Sequence, residues 1–267
     1  MGVFGMLYCN HDQPVVPYLR RLCTAYPDHR RPQPGMARGA VGIVMKPDPI
    51  TLSNLSVRRG GRLVLHGLSR VFAPGSLTAV TGPNGAGKST LLLALNGAVP
   101  VASGWIDRGT LRARDISLLA QDGRLDRGFP VSCRDVVALG WTTHLGLFRR
   151  IGAEQYAAAD RALAAVGMAG EGLAGVGARP IGALSAGQFQ RVLFARTIIA
   201  NAPVILLDEP FAAIDEATQA DLMDIILAWH REGRTILAVL HDQALIDRAF
   251  PDKLALTANA QVLEAAA

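Results

Sequence analysis

Residues 82–90 have the sequence Gly-Pro-Asn-Gly-Ala-Gly-Lys-Ser-Thr, which matches the phosphate-binding loop pattern G-x-x-x-x-G-K-S/T at every fixed position. The apolar residues 77–81 before it predict a buried strand, and the leucine-rich residues 91–95 after it predict the start of a helix. A strand, a glycine-rich loop and a helix in this order are the context that the pattern requires. The stretch therefore predicts a nucleotide-binding loop.

The residue types in this loop suit a phosphate ligand. Glycine lets the backbone approach closely, so that successive N–H groups point at phosphate oxygens beside the positive end of a helix. Lys88 supplies a cation for the β- and γ-phosphates, and the Ser89 hydroxyl is a ligand for Mg²⁺. The alternative, an ordinary glycine-rich turn before a helix, leaves the Lys-Ser pair unexplained. The residues predicted to bind the nucleotide are Gly82, Pro83, Asn84, Gly85, Ala86, Gly87, Lys88, Ser89 and Thr90.

Apolar segments alternate with helical ones along the chain. Strands are predicted at residues 50–57, 63–65, 77–81, 116–120, 204–207 and 235–240, with helical stretches at 131–169, 188–200 and 222–229. Continuous apolar strands that alternate with helices are typical of a parallel α/β core.

Two carboxylates follow the apolar segment 204–207. Asp208 and Glu209 end this predicted strand, so that both lie at the carboxyl edge of the sheet, beside the phosphate-binding loop. Asp208 suits the Mg²⁺ shell, and Glu209 suits orienting or deprotonating a water that attacks the γ-phosphate. Any strand can end in acidic residues, and it is the pairing with residues 82–90 that favours this interpretation.

Composition limits the classes of function. Half of the 267 residues are hydrophobic, yet no apolar run approaches the roughly 20 residues that span a bilayer, and no secretory signal is apparent. The odd, widely spaced cysteines Cys9, Cys23 and Cys133 favour a reducing compartment over a disulfide framework. We therefore expect the protein to be kept in the cytoplasm.

Residues 1–44 differ from the rest, since five prolines interrupt any helix or central strand there. We predict an irregular or disordered leader, and Met45 offers an alternative start. Residues 1–46 hold six basic and two acidic residues, whereas the remainder holds 21 and 20. Because the basic residues are concentrated in the leader, the net charge of +5 does not indicate a nucleic-acid partner.

Residues 184–188, Leu-Ser-Ala-Gly-Gln, open the next predicted helix. The phosphate-binding loop, Gln121, this segment, Asp208-Glu209 and His241 follow one another in this order and at roughly the separations seen in the ATP-binding subunits of ABC transporters. The chain resembles those subunits over about residues 50–260. The resemblance implies an α/β fold: a P-loop NTPase core with a parallel central sheet, an antiparallel β subdomain and a helical subdomain. It makes residues 45–267 the ATP-binding domain.

The resemblance also implies that two such subunits, as a homodimer, enclose two ATP molecules. Ser185 and Gly187, in the segment that ends at Gln188, would contact the γ-phosphate held on the opposite subunit, and Asp215 would lie at the dimer seam. Ser185 is also an N-cap candidate, and the small residues after it leave N–H groups free for an anion. The segment has Ala186 where glycine is commonest in the family.

Two more residues acquire roles only through the resemblance. Gln121 resembles the glutamine that senses Mg²⁺ and the attacking water, and His241 resembles the histidine that contacts the γ-phosphate. Near Arg58-Arg59 the family usually offers an aromatic ring to the adenine, and here Arg59 could stack through its guanidinium plane instead. The alternative is that both arginines are simply solvated, which leaves the choice of ATP over GTP open.

The cargo is suggested by residues 121–140 and by Gly-Leu-Phe-Arg-Arg at 146–150, which are similar to ATPase subunits of the zinc and manganese uptake branch. This similarity implies a peripheral protein on the cytoplasmic face of the cell membrane, a membrane-spanning permease and an extracytoplasmic metal-binding protein. The apolar residues Trp141, Leu145, Leu147 and Phe148 would dock on the permease or only pack the helical subdomain. The rival functions are a haem or siderophore importer and a soluble, non-transport ABC ATPase.

Overall fold

The computed structural model describes residues 47–120, 128–142, 151–168 and 173–257. The predicted leader at residues 1–44, and with it any outcome for that prediction, lies outside these ranges. Within them the chain forms an antiparallel sheet, a parallel sheet and a group of helices.

The antiparallel sheet has three strands in the order β2-β1-β4. Strands β1 (Ile50–Arg59) and β2 (Arg62–Phe72) form a hairpin through Gly60 and Gly61, and β4 (Val101–Asp107) pairs with the other edge of β1. Both turn glycines have positive φ, as the short connection requires. This sheet carries Arg59 at the end of β1.

The parallel sheet has five strands in the order β5-β6-β7-β3-β8. Its members are β3 (Leu77–Thr81), β5 (Ile116–Leu119), β6 (Val204–Asp208), β7 (Thr235–Val239) and β8 (Asp252–Ala255). Every residue of β6 and β7 is buried, which explains why these strands are continuously apolar in sequence. Parallel pairing brings the carboxyl ends of β3, β6 and β7 to one edge of the sheet.

Seven α-helices lie in the described ranges: α1 (Lys88–Asn96), α2 (Cys133–Ala138), α3 (Ala153–Ala165), α4 (Leu173–Gly177), α5 (Ala186–Ala200), α6 (Glu216–Arg231) and α7 (Gln243–Ala249). Helices α2, α3 and α5 pack on one another. Helices α2, α5, α6 and α7 each begin after a Ser or Asp side chain that accepts the N–H three residues later. Among the described helices, none has the length and apolarity of a membrane span.

The parallel sheet is buried on both faces. Ile205 and Leu207 of β6 face a core shared with α2, α3, α5 and α6, where Phe194 and Trp229 stack with ring centroids 5.7 Å apart. Val204 and Leu206 point the other way, into a second core with α1 and the antiparallel sheet. Helix α1 packs in the second core only, and the phosphate-binding loop that precedes it lies at the carboxyl edge of the sheet.

The predicted fold class is confirmed, and β3 has the predicted bounds. The prediction at residues 63–65 was too short, because β2 is half exposed and its polar positions hide a strand of 11 residues. Strand β4 was not predicted, since almost all of it is exposed and Gly104 interrupts it. The helical stretch predicted at 131–169 consists of α2, a 3₁₀ turn at 139–141 and α3, with residues 143–150 outside the described ranges.

Candidate nucleotide-binding site

The phosphate-binding loop connects β3 to α1, as predicted. Gly82 has φ 140°, and a Cβ there would lie 2.3 Å from the carbonyl oxygen of Leu256. Gly87 has φ 91°, and its Cβ would lie 2.8 Å from Leu65 Cδ2. Only glycine fits either position, because the loop is enclosed between the chain after β8 and strand β2. The sequence pattern therefore has a steric cause as well as a chemical one.

Lys88 is the first residue of α1 and is only 6% exposed. Its Nζ donates hydrogen bonds to the carbonyl oxygens of Gly82 at 2.8 Å and Pro83 at 3.0 Å. A buried ammonium needs such partners, since burial of an unpaired charge is strongly unfavourable. The two bonds hold the positive charge within the curve of the loop, where an anion would bind.

Ser89 and Asp208 join α1 to the end of β6. The Ser89 hydroxyl donates to Asp208 Oδ1 at 3.0 Å, and Asp208 is 6% exposed. A hydroxyl and a carboxylate in contact are two hard oxygen ligands, the donors that Mg²⁺ prefers beside nucleotide phosphates. The donor set at this point therefore fits Mg²⁺.

Glu209 and His241 form the second pair at the sheet edge. Glu209 follows β6, His241 comes two residues after β7, and His241 Nε2 lies 3.0 Å from Glu209 Oε1. The Glu209 backbone has φ 50°, a conformation that residues other than glycine rarely adopt. The side chain of Glu209 is 22% exposed and that of His241 is 49% exposed, so both are accessible from the cleft that they line.

These residues line one cleft of about 610 Å³, a volume in the range of small-molecule sites. Its lining residues are Arg59, Val64, Asn84, Gly85, Gly87, Lys88, Ser89, Thr90, Glu209 and His241. Arg59 thus lies on the cleft, as expected for a residue that stacks on a base. Val64 was missed, and the signal that could have found it is its place in the strand that follows the Gly60-Gly61 turn.

A second group of predicted residues lies away from this cleft, and we call Ser185, Gly187, Gln188 and Asp215 the signature cluster. None of its members lines the cleft. The Ser185 hydroxyl accepts the Gln188 N–H at 3.2 Å, and Gln188 Oε1 accepts the Ser185 N–H at 3.1 Å. A Cβ on Gly187 would lie 3.8 Å from Asp215 Oδ2, so the starts of α5 and α6 are neighbours.

Asp215 caps α6. The Thr218 N–H and hydroxyl donate to its two oxygens at 2.8 and 2.9 Å, and these bonds hold the pKa of the Asp215 carboxyl below its usual value. Arg191 of α5 donates to the Thr218 hydroxyl at 3.3 Å and to Asp221 at 2.9 Å. The signature cluster is therefore held as one unit. Gln121, the remaining predicted site residue, lies outside the described residues.

The apolar residues predicted to meet a permease are only partly described. Trp141 packs half-buried against the helical core, and Leu145, Leu147 and Phe148 lie outside the described ranges. Phe129 is 62% exposed and Leu139 is 39% exposed, although sequence reasoning did not assign either of them to this surface.

Comparison with known proteins places this geometry in context. The family model described as ABC transporter matches residues 65–212, more than half of the chain. The manganese transport system ATP-binding protein MntB of Bacillus subtilis is 39% identical over 199 residues, which cover 73% of this chain and 77% of that protein. The hemin import ATP-binding protein HmuV of Pseudomonas aeruginosa is 36% identical over 227 residues, which cover 79% and 83%.

Solved structures are similar over the same region. A transporter described as metal-chelate type, in an inward-facing conformation, has a TM-score of 0.68 at 27% identity, covering 79% of this chain and 80% of that one. A bacterial ABC transporter cassette solved in dimeric form has a TM-score of 0.67 at 25% identity, covering 80% and 96%.

Proposed function

The chain belongs to the ABC transporter family, and from that membership we propose that it is the ATP-hydrolysing, energy-coupling subunit of an importer for a divalent metal ion, zinc or manganese. Domains of this family bind adenine nucleotides and hydrolyse ATP. One observation carries the assignment of the reaction to this cleft: Lys88, Ser89, Glu209 and His241 line it together, with Asp208 bonded to Ser89.

Nucleotide binding begins with the phosphates. The loop N–H groups and the positive end of α1 face the anion, and Lys88 neutralises charge on the β- and γ-phosphates. Arg59 and Val64 line the cleft on the side of the antiparallel sheet, and this supports a base held against a guanidinium plane and a small apolar surface.

Ser89 and Asp208 are the residues that would hold Mg²⁺, through the hydroxyl and carboxylate oxygens that are 3.0 Å apart. When bound, the ion would neutralise charge that develops on the phosphate oxygens. The hydroxyl that now donates to Asp208 would turn its lone pairs to the ion.

Hydrolysis requires a water in line with the bond that joins the γ-phosphorus to the β–γ bridging oxygen. Glu209 accepts a proton from this water as its oxygen attacks the γ-phosphorus, and the bond to the bridging oxygen breaks to give ADP and phosphate. His241, 3.0 Å from Glu209 Oε1, orients that carboxylate, and its place on the same cleft supports a contact with the γ-phosphate. The two residues have complementary roles: one accepts a proton, and the other fixes the acceptor.

A second copy of the chain would complete the site. The separation of the signature cluster from the cleft supports this, because Ser185 and Gly187 do not line the cleft of their own chain and would contact a nucleotide held on another subunit. The similar cassette that was solved in dimeric form adds support. Two cleft–cluster contacts would then form, each around one ATP.

The membrane partner would be a permease, with the protein peripheral on the cytoplasmic face and an extracytoplasmic protein delivering the ion. The exposed side chains of Phe129 and Leu139 are apolar surface of the kind found at protein interfaces. The relatives reported above are themselves transport proteins, which favours this arrangement over a soluble, non-transport ATPase.

The identity of the transported ion is tested by measuring its uptake into cells. A deletion strain should lose uptake of radioactive Zn²⁺ or Mn²⁺ and regain it with the wild-type gene but not with a Glu209→Gln gene. Normal uptake of both ions in the deletion strain would contradict the metal assignment. In the isolated permease complex, the ion that the binding protein carries should raise the rate of ATP hydrolysis.

Haem is the second candidate cargo. The similarity to a hemin import protein, at 36% identity, is the observation that favours it. Growth of the same deletion strain with haem as the sole iron source separates the two: a defect there, with zinc and manganese uptake intact, would assign the chain to haem import.

A further inference from the structure

The turn at residues 209–215 connects β6 to α6 and contains both Glu209 and Asp215. Two of its residues other than glycine, Glu209 with φ 50° and Ala213 with φ 57°, have a left-handed backbone. This conformation is disfavoured for side chains with a Cβ, and it persists only where neighbouring contacts hold it. Contacts around Glu209 must therefore hold its backbone in this conformation.

One of these contacts comes from a buried amide on α5. Gln190 is 7% exposed, and its Nε2 donates to the carbonyl oxygen of Pro210 at 2.7 Å. Within the turn, the Ala212 N–H donates to the carbonyl oxygen of Glu209 at 3.2 Å. The peptide groups on both sides of Pro210 are thus bonded, and Gln190 supplies the bond that comes from another element.

The next residue of α5 is linked to the other end of the turn through α6. Arg191 donates to the Thr218 hydroxyl, which in turn donates to Asp215. The helix that begins in the signature cluster is therefore bonded directly to one end of the turn and, through Thr218, to the other. A displacement of α5 relative to β6 would move the Pro210 carbonyl, and with it the backbone that carries Glu209.

We propose that Gln190 is a positioning residue for Glu209. Its amide fixes the Pro210 carbonyl, which holds the left-handed backbone of Glu209 and so keeps the carboxylate 3.0 Å from His241 and directed into the cleft. The proposal rests on the role proposed above for Glu209. The start of α5 would then have two roles. It would help to orient the Glu209 carboxylate, and it would form a surface for a second nucleotide.

The test compares ATP hydrolysis by the purified full chain and two Gln190 variants. Gln190→Met keeps the length of the side chain and removes the donor, so kcat should fall by about ten- to a hundredfold while KM for ATP stays within about twofold, as expected for a misplaced reacting group. Gln190→Glu keeps the shape and donates only when its carboxyl is protonated. The ratio of its kcat to that of the wild type should therefore rise as the pH falls from 9 to 6.

The matched control is Thr197→Val on the same helix. Thr197 is also buried, at 4% exposure, but its hydroxyl bonds to the Leu193 carbonyl within α5 and does not contact the turn. This variant should lower the melting temperature and leave kcat unchanged. A role for Gln190 in packing alone predicts the same behaviour for Gln190→Met.

Two results would overturn the proposal: a kcat of Gln190→Met within twofold of the wild type, or a kcat ratio for Gln190→Glu that does not change with pH. If Gln190→Met does not fold, the pH series on Gln190→Glu decides alone. Glu209→Gln is assayed in parallel, because retained turnover in that variant would refute the role of Glu209 itself. Loss of turnover in Glu209→Gln with normal turnover in Gln190→Met would refute only the positioning role.

Discussion

The cleft and the signature cluster use their polar side chains in different ways. In the cleft, Lys88 at the start of α1 lies with Glu209 and His241, which follow β6 and β7. The buried Lys88 and Asp208 are hydrogen-bonded to backbone carbonyls and to the Ser89 hydroxyl, respectively. In the signature cluster, the side chains of Ser185 and Asp215 accept backbone N–H groups and cap α5 and α6. This difference supports the proposal that the first region binds a nucleotide within one chain, whereas the second contacts a nucleotide held on another copy.

The largest expected effect comes from removing the proton acceptor in the cleft. Glu209→Gln should lower kcat by about 10²-fold or more, because the amide cannot accept the proton of the attacking water, while the affinity for ATP is retained. Steady-state hydrolysis and nucleotide titration of the purified protein measure the two quantities. Glu216→Gln, the same change at an exposed position in the first turn of α6, is the control and should be silent. Turnover equal to the wild type would remove Glu209 from the mechanism.

Binding in the cleft is tested by Lys88→Ala. Loss of a charged donor to the phosphates should raise Kd for ATP by about 10- to 100-fold. Lys253→Ala removes an exposed lysine that pairs with Asp247, and its Kd should equal that of the wild type. A titration in which Lys88→Ala binds ATP as tightly as the Lys253 variant would refute the role of Lys88.

The signature cluster is tested by comparing two serine helix caps, one inside the cluster and one outside it. Ser185→Ala and Ser132→Ala each remove a hydroxyl that accepts the N–H three residues later, so each should cost about 1 kcal/mol of stability. Only Ser185→Ala should also lower kcat, by about tenfold, since only that hydroxyl would reach the nucleotide of a second copy. Equal kcat in the two variants would leave Ser185 with a capping role alone. Calorimetry and hydrolysis assays at a matched dimer concentration provide both readings.

The smallest expected effect concerns the contact between Arg59 and the base of the nucleotide. Arg59→Ala should weaken ATP binding by about threefold, the size of an exposed stacking or cation–π contact, and Arg59→Tyr should restore it. Arg58→Ala is the control, because Arg58 donates to the Gly61 carbonyl at 3.3 Å and does not line the cleft. Titrations with ATP and GTP show whether Arg59 selects between them. Identical affinities for the two arginine variants would assign both side chains to solvent.

The two regions also differ in how far sequence could predict them. Residues 82–90 and Asp208-Glu209 were found because a local pattern fixes both the conformation and the chemistry. The Ser89–Asp208 contact needed only the rule that parallel strand ends meet at one edge. The bond from Gln190 to Pro210 was beyond reach, since it depends on how α5 packs beside β6, and no spacing along the chain encodes that distance.

Prediction was poorest where burial is partial. Strand β4 is exposed at nearly every position, so it lacks the alternation that marks a strand, and it is held by its pairing with β1. Strand β8 has four residues and was missed for a related reason, because it is defined by pairing with β3 rather than by its own composition. Both lie at sheet edges, where tertiary contacts outweigh local preference.

Strand β8 and the residue after it are synthesised long after the phosphate-binding loop that rests against them. The Leu256 N–H donates to the Thr81 carbonyl at 2.9 Å, and the Leu256 carbonyl is the group that leaves room only for glycine at Gly82. A ribosome that has translated the phosphate-binding loop has therefore not yet made one of the walls against which the loop rests. The loop can reach its final form only when almost the entire domain has emerged, so that a prematurely terminated chain would lack a properly supported nucleotide site.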